Sequence, residues 1–147
     1  MDPTAVTRMD DRLDAIETAL RAALPTHVIK RSLKHFTAHA EGEIEQGVVM
    51  MVAGGEKDYR RDPGMIAKEG TQRLLLVAHL KAAETDEPTQ VEAAELDLAE
   101  EIKTFVRSGV SGMTIYLESI EHSRQLDFPY GWLVVYLDVG PPNSGVF

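Results

Sequence analysis

Cysteine is absent from the 147 residues. Disulfides and thiolate metal sites are therefore excluded, and nothing points to an oxidising compartment. Basic residues are scarce: 15 Lys and Arg stand against 24 Asp and Glu, a net charge of −9. A surface built to grip nucleic acid normally carries a basic stripe, so that class of function is disfavoured. A protein past which nucleic acid slides is not, because repulsion prevents sticking. Long apolar runs are also lacking. The stretch from Leu74 to Ala78 is among the longest, far too short to span a bilayer. The opening MDPTAVTRMDDRLDA is polar and acidic, unlike a signal peptide. The expected setting is a cytoplasm, with no membrane partner.

Catalytic signatures are missing as well. There is no GxSxG and no serine–histidine pair in a recognisable context. His35 and His39 lie four apart without an HExxH, in a stretch that reads as extended, so both are expected at the surface. His79 falls inside an apolar strand and is expected to be a hydrogen-bonded core or sheet histidine. The acidic clusters, Glu92 and Glu95 among them, are read as solvated helix faces, and no calcium-loop spacing occurs. No cofactor, metal or catalytic residue is assigned, and the chain is not expected to be an enzyme.

What is present is periodicity. Met9, Leu13, Ile16, Leu20 and Leu24 recur at spacings that predict a helix, with Thr7 or Asp10 as its cap and Pro25 at its end. HVIKRSLKHFTAH alternates loosely and predicts a strand or edge strand. EGEIEQG reads as a Glu- and Gly-rich connector. GVVMMVAGG, with its apolar run from Val48 to Val52, predicts a buried strand, and Leu74–Leu80 predicts a second. Pro88, preceded by Thr85, Asp86 and Glu87, opens a helix with Val91, Ala94, Leu98, Ile102 and Phe105 along one face and Gly109 as its stop. Leu96 points away from that face, among acidic neighbours, and is a candidate contact to another subunit. MTIYLESI and WLVVYLDVG alternate as two closing strands. The expected fold is α+β: a mainly antiparallel sheet of about five strands with two principal helices packed on one face. A single domain is expected over 1–147, with loose termini at 1–8 and 140–147.

One stretch, GGEKDYRRDPG at 54–64, poses the functional question. Its glycines invite comparison with a phosphate loop. Such a loop needs backbone N–H groups converging at a helix start, usually beside Lys-Ser/Thr. No helix follows here, and Glu56, Asp58 and Asp62 would repel phosphate. The glycines read instead as the end of a strand, followed by a long polar arm over 54–70. A connector of that length in a compact domain is usually functional or disordered. Lys57, Tyr59, Arg60 and Arg61 are its candidate protein-interface residues, Tyr and Arg being types enriched at interfaces.

With the elements in this order, the chain resembles the tail terminator proteins of long-tailed phages, the group that includes the minor tail protein U of phage lambda. The local similarities are GGEKDY (54–59), RLLLVAHLKA (73–82), AELDLAEEIKTFVR (94–107) and FPYGWLVVYLDV (128–139). They look like the variant found in Mu-like phages and prophages. Against lambda's own protein the likeness is one of architecture. The resemblance spans about residues 10–140.

It implies a structural virion protein without catalytic residues, assembled in the host cytoplasm and resident at the head–tail junction. Such proteins form a homohexameric ring that caps the tail tube protein, stops tube growth and presents a surface to the head–tail connector. DNA only passes through the lumen. The arm would be the part that reaches the tube. A head-closure or tail-completion adaptor is the alternative within that class. Outside it stand a small cytoplasmic carboxylate/histidine enzyme and a ligand-binding domain that uses the open sheet face.

Overall fold

A computed structural model describes residues 8–33, 38–57, 70–83 and 86–141. The order is α1 (Met9–Ala23), β1 (Val28–Lys30), α2 (Glu41–Gln46), β2 (Val48–Lys57), β3 (Thr71–Lys81), α3 (Pro88–Ser108), β4 (Thr114–His122) and β5 (Tyr130–Gly140). The five strands form one sheet in the order β1-β2-β3-β5-β4. All neighbours are antiparallel except β1 and β2, which pair in parallel through Val28–Lys30 and Val48–Met50. This is an α+β domain.

Alternation along the strands sorts side chains between two faces. Leu74, Leu76 and Ala78 of β3 share a face with Leu133, Val135, Leu137 and Val139 of β5, all fully buried. Val49 and Met51 extend it onto β2 and Ile29 onto β1. α1 and α3 supply the lid: Leu13, Ile16 and Leu20 from one, Leu98, Ile102 and Phe105 from the other. Glu87 caps α3, in a capping box with Gln90. α1 is capped less well. Arg8 occupies the N-cap position and makes no side-chain cap bond, so Asp10 lies in the first turn rather than at the cap.

The structure corrects four expectations. β1 is three residues long and does not extend through 31–33; residues 34–37 lie outside the described set. EGEIEQ is a helix, α2, ended by Gly47 at φ 88. This short helix bridges two parallel strands and contacts β3. β2 does not stop at the glycines but continues to Lys57 through an irregularity between Ala53 and Gly55. On α3, Ala94 is exposed, and the buried stripe runs through Glu95 instead. The two closing strands behave as expected, with an added register shift at Glu118 that keeps Ile120 on the core side.

Candidate interaction surfaces

Gly54 and Gly55 belong to the β2 ladder, and each needs glycine for a different reason. A Cβ on Gly54 would fall 2.6 Å from Arg73 Cγ and from Leu75 Cδ1, across the strand pair. Gly55 has φ +118, open to glycine but not to L side chains, and space around it is free. The irregularity makes a shallow depression of about 450 Å³ lined by Gly54–Lys57, Arg73, Leu75 and Tyr136. Arg73 holds its wall. It donates to Asp138 at 3.1 Å, pairs with Glu118 and lies 5.8 Å above the Tyr136 ring. The arm expected over 54–70 is thereby shortened. Residues 54–57 are strand, and Lys57 is an exposed strand end. Tyr59, Arg60 and Arg61 lie outside the described residues. Leu96 is half exposed on the outer side of α3, as its phase predicts.

The most developed polar cluster was not anticipated. Glu95 is 1% exposed, where the sequence predicts a solvated helix face. Its position follows from helical phase: 91, 95, 98, 102 and 105 recur at spacings of four, three, four and three, so a carboxylate occupies a core slot. A buried carboxylate is costly unless hydrogen bonds satisfy it. Here Ser123 donates its backbone N–H to Oε1 at 3.2 Å and its hydroxyl to Oε2, and His122 Nδ1 approaches Oε1 at 3.3 Å. Gly131 of β5 makes room. A Cβ there would lie 2.5 Å from Val91 Cγ1 and 2.6 Å from Glu95 Oε2.

Serine, histidine and glutamate together suggest a hydrolase, but the order of contacts is wrong for one. In a serine hydrolase the histidine takes the serine proton and the carboxylate orients the histidine. Ser123 instead donates to the carboxylate, and it is fully buried. The cluster fastens the β4–β5 turn to α3. Beyond the anchor, Arg124 and Gln125 both hold left-handed backbone, φ 60 and 65. That conformation costs a side-chain-bearing residue about 1 kcal/mol. It is maintained by the Gln125 N–H to Ser123 Oγ bond and by Gln125 Nε2 donating to Glu92 at 2.5 Å. The result is a turn that holds Leu126 79% exposed.

No family model and no curated protein matches the chain.

The histidines divide differently from the expectation. His79 is a buried sheet histidine, as predicted. His39 is buried too, contrary to its reading as a surface residue, because its Nε2 meets His79 Nδ1 at 3.0 Å. His35 lies outside the described residues. His27 bridges elements: Nδ1 to the Gln46 carbonyl at 2.6 Å and Nε2 to Glu101 at 2.8 Å. Among the described residues no group of three potential metal ligands forms, and no helix is long and apolar enough to cross a membrane.

α2 is tied to β1 by Lys30, which donates to Glu43 at 2.8 Å. That hydrogen bond, aided by the Lys30 charge and opposed by desolvation, lowers the Glu43 pKa below its ordinary carboxylate value. A lowered carboxylate pKa means the contact favours folding above the ordinary range and is lost as pH falls through the lowered value. Carboxyl-detected NMR should find Glu43 titrating at lower pH in the native chain than in Lys30→Met. Coincident titration curves would show that the pair does not form in solution.

Proposed function

We propose that the protein is a phage tail terminator, a structural and non-catalytic ring subunit that caps the tail tube and offers the head connector its seat. The observation that carries this reading is the order of elements. An N-terminal helix, a mainly antiparallel sheet, one 21-residue helix and a closing pair of strands follow one another in the order the resemblance implies. The charge of −9 supports it, since a ring of such subunits repels transiting DNA. The carboxylate-centred contacts of Ser123 favour a structural over a catalytic role for the Glu95–Ser123–His122 cluster.

Deletion of the gene in its phage or prophage, with electron microscopy of the lysate, tests the reading. Full heads beside overlong, unattached tubes are expected. Tails of uniform length joined to heads would sink it. Joined heads with tails that break at the neck would favour the head-closure adaptor.

A further inference from the structure

His27 stands at a corner where three elements meet. It lies in the turn between α1 and β1, with its backbone N–H on the Leu24 carbonyl at 3.1 Å. The next residue, Val28, donates to the Gly47 carbonyl at 3.0 Å, so the turn is tied to the end of α2. The ring packs beside Gly47. A Cβ there would lie 2.8 Å from His27 Nδ1 and 2.8 Å from Leu80 Cδ2, so glycine is what lets the ring lie against this backbone. Each ring nitrogen then faces an oxygen. Nδ1 is 2.6 Å from the Gln46 carbonyl, and Nε2 is 2.8 Å from Glu101 of α3. A carbonyl and an ionised carboxylate only accept hydrogen bonds. A neutral imidazole has one N–H and one lone pair, so it satisfies one oxygen and repels the other. The imidazolium, with two N–H groups, satisfies both.

We infer that His27 is a proton-gated strap: its second ring proton joins α3 to the corner of α2 and β1, and loss of that proton releases Glu101. The strap does not depend on the ring reading. Its two contacts are not equivalent. The Gln46 carbonyl belongs to backbone held on both sides, by Gly47 N–H on Ile44 and by Val28 N–H on Gly47. It has little freedom to retreat from a lone pair. The Glu101 side chain is 44% exposed and turns readily to water. The neutral ring therefore keeps Nδ1–H on Gln46 and gives up the proton on Nε2, since the fixed partner sets the tautomer. Among the described residues, the other charged groups around the ring are engaged elsewhere or face solvent. On α3, Glu100 pairs with Lys103, and Asp97, one turn before Glu101, is exposed. On α2, Glu43 pairs with Lys30 of β1, and Glu45 is exposed. On α1, Arg21 pairs with Glu17 and donates to the Ile29 carbonyl. On β3 the neighbour is apolar Leu80, and alternation turns His79 and Lys81 to the opposite face. Stability follows the proton. The strap is complete where the imidazole carries two protons and is lost as pH rises through the range in which histidine titrates, about pH 5–8.

The ring protons are read directly by long-range proton–nitrogen correlation NMR of the histidine side chains. The His27 signals are assigned by their loss in His27→Gln. At about pH 5.5 both ring nitrogens should be protonated, and at about pH 8.5 Nδ1 should keep its proton while Nε2 has lost it. A neutral ring with its proton on Nε2 overturns the strap. Glu101→Gln supplies the energetic arm. Its amide donates to a bare Nε2 and its carbonyl accepts from a protonated one, so the contact survives in both states. Between about pH 5.5 and 8.5 the melting temperature of the native chain should fall by about 2–4 °C relative to that of Glu101→Gln, the shift expected from one charge-assisted hydrogen bond in a domain of this size. Parallel curves for the two proteins over that range also overturn it. Both measurements use the isolated chain, so neither result bears on the terminator reading, which the deletion tests separately.

Discussion

Replacing Glu95 with alanine is expected to lower the unfolding free energy by about 3 kcal/mol, because several buried donors lose their acceptor at once. The Ser123 N–H, the Ser123 hydroxyl and His122 all converge on that carboxylate. Each buried polar group left without a partner costs about 1–3 kcal/mol, and a domain of this size has only about 5–15 kcal/mol to lose. The melting temperature should fall by about 6–12 °C. Asp97→Ala, two residues on but exposed, should move stability by less than about 0.5 kcal/mol. Glu95→Gln, which keeps one oxygen acceptor, should fall between the two. Chemical denaturation of the three variants measures the series. Equal midpoints for Glu95→Ala and Asp97→Ala would mean that the cluster does not hold the turn.

Leu76→Ala is expected to cost about 3–4 kcal/mol, within the range for emptying a core leucine site. Leu76 is fully buried at the middle of β3, opposite Met51 on one side and Val135 on the other. Neighbours held in two ladders have little freedom to collapse into the space, which places the expected cost well inside that range. The same change at Leu96 or Leu126 should shift stability by less than about 0.5 kcal/mol, since both are exposed in the single chain. Urea midpoints with unchanged slopes would confirm the contrast. A large loss for Leu126→Ala in a monomeric sample would show that its side chain supports the fold rather than a partner.

Much of the architecture was legible because it is written in periodicity. The alternation of Leu133, Val135, Leu137 and Val139 assigned the inner face of β5, and Pro88 with Gly109 bracketed α3. What failed to show was context. EGEIEQ carries one buried apolar residue, Ile44, so no amphipathic repeat announces its helix. Gly54 and Gly55 are usual strand breakers, yet the pairing of β2 with β3 carries the ladder through them, and the small size of Gly54 makes room for Arg73 and Leu75 on the neighbouring strand. Glu95 was hidden by its charge. Its spacing fits the buried stripe better than that of Ala94, and the residues that make its burial tolerable, Ser123 and Gly131, are distant in sequence. The candidate surfaces divide likewise. Leu96 could be placed from helical phase alone, whereas the exposure of Leu126 depends on a turn that no local pattern encodes.

The position of β5 has a consequence for how the chain acquires its structure. β5 lies between β3 and β4, although it comes last of the five in the chain. Among the described strands β4 pairs with β5 alone, and the open side of β3 waits for β5 as well. While the protein emerges from the ribosome, β4 has no partner and β3 presents a bare apolar edge until residues 130–140 are clear of the exit. Strand edges of that kind invite wrong pairings between nascent chains. The last strand is therefore the closing member of the sheet, and it pairs Gln72 with Val139 and Lys81 with Tyr130 across a long stretch of chain. Such long-range closure is slow compared with forming α3.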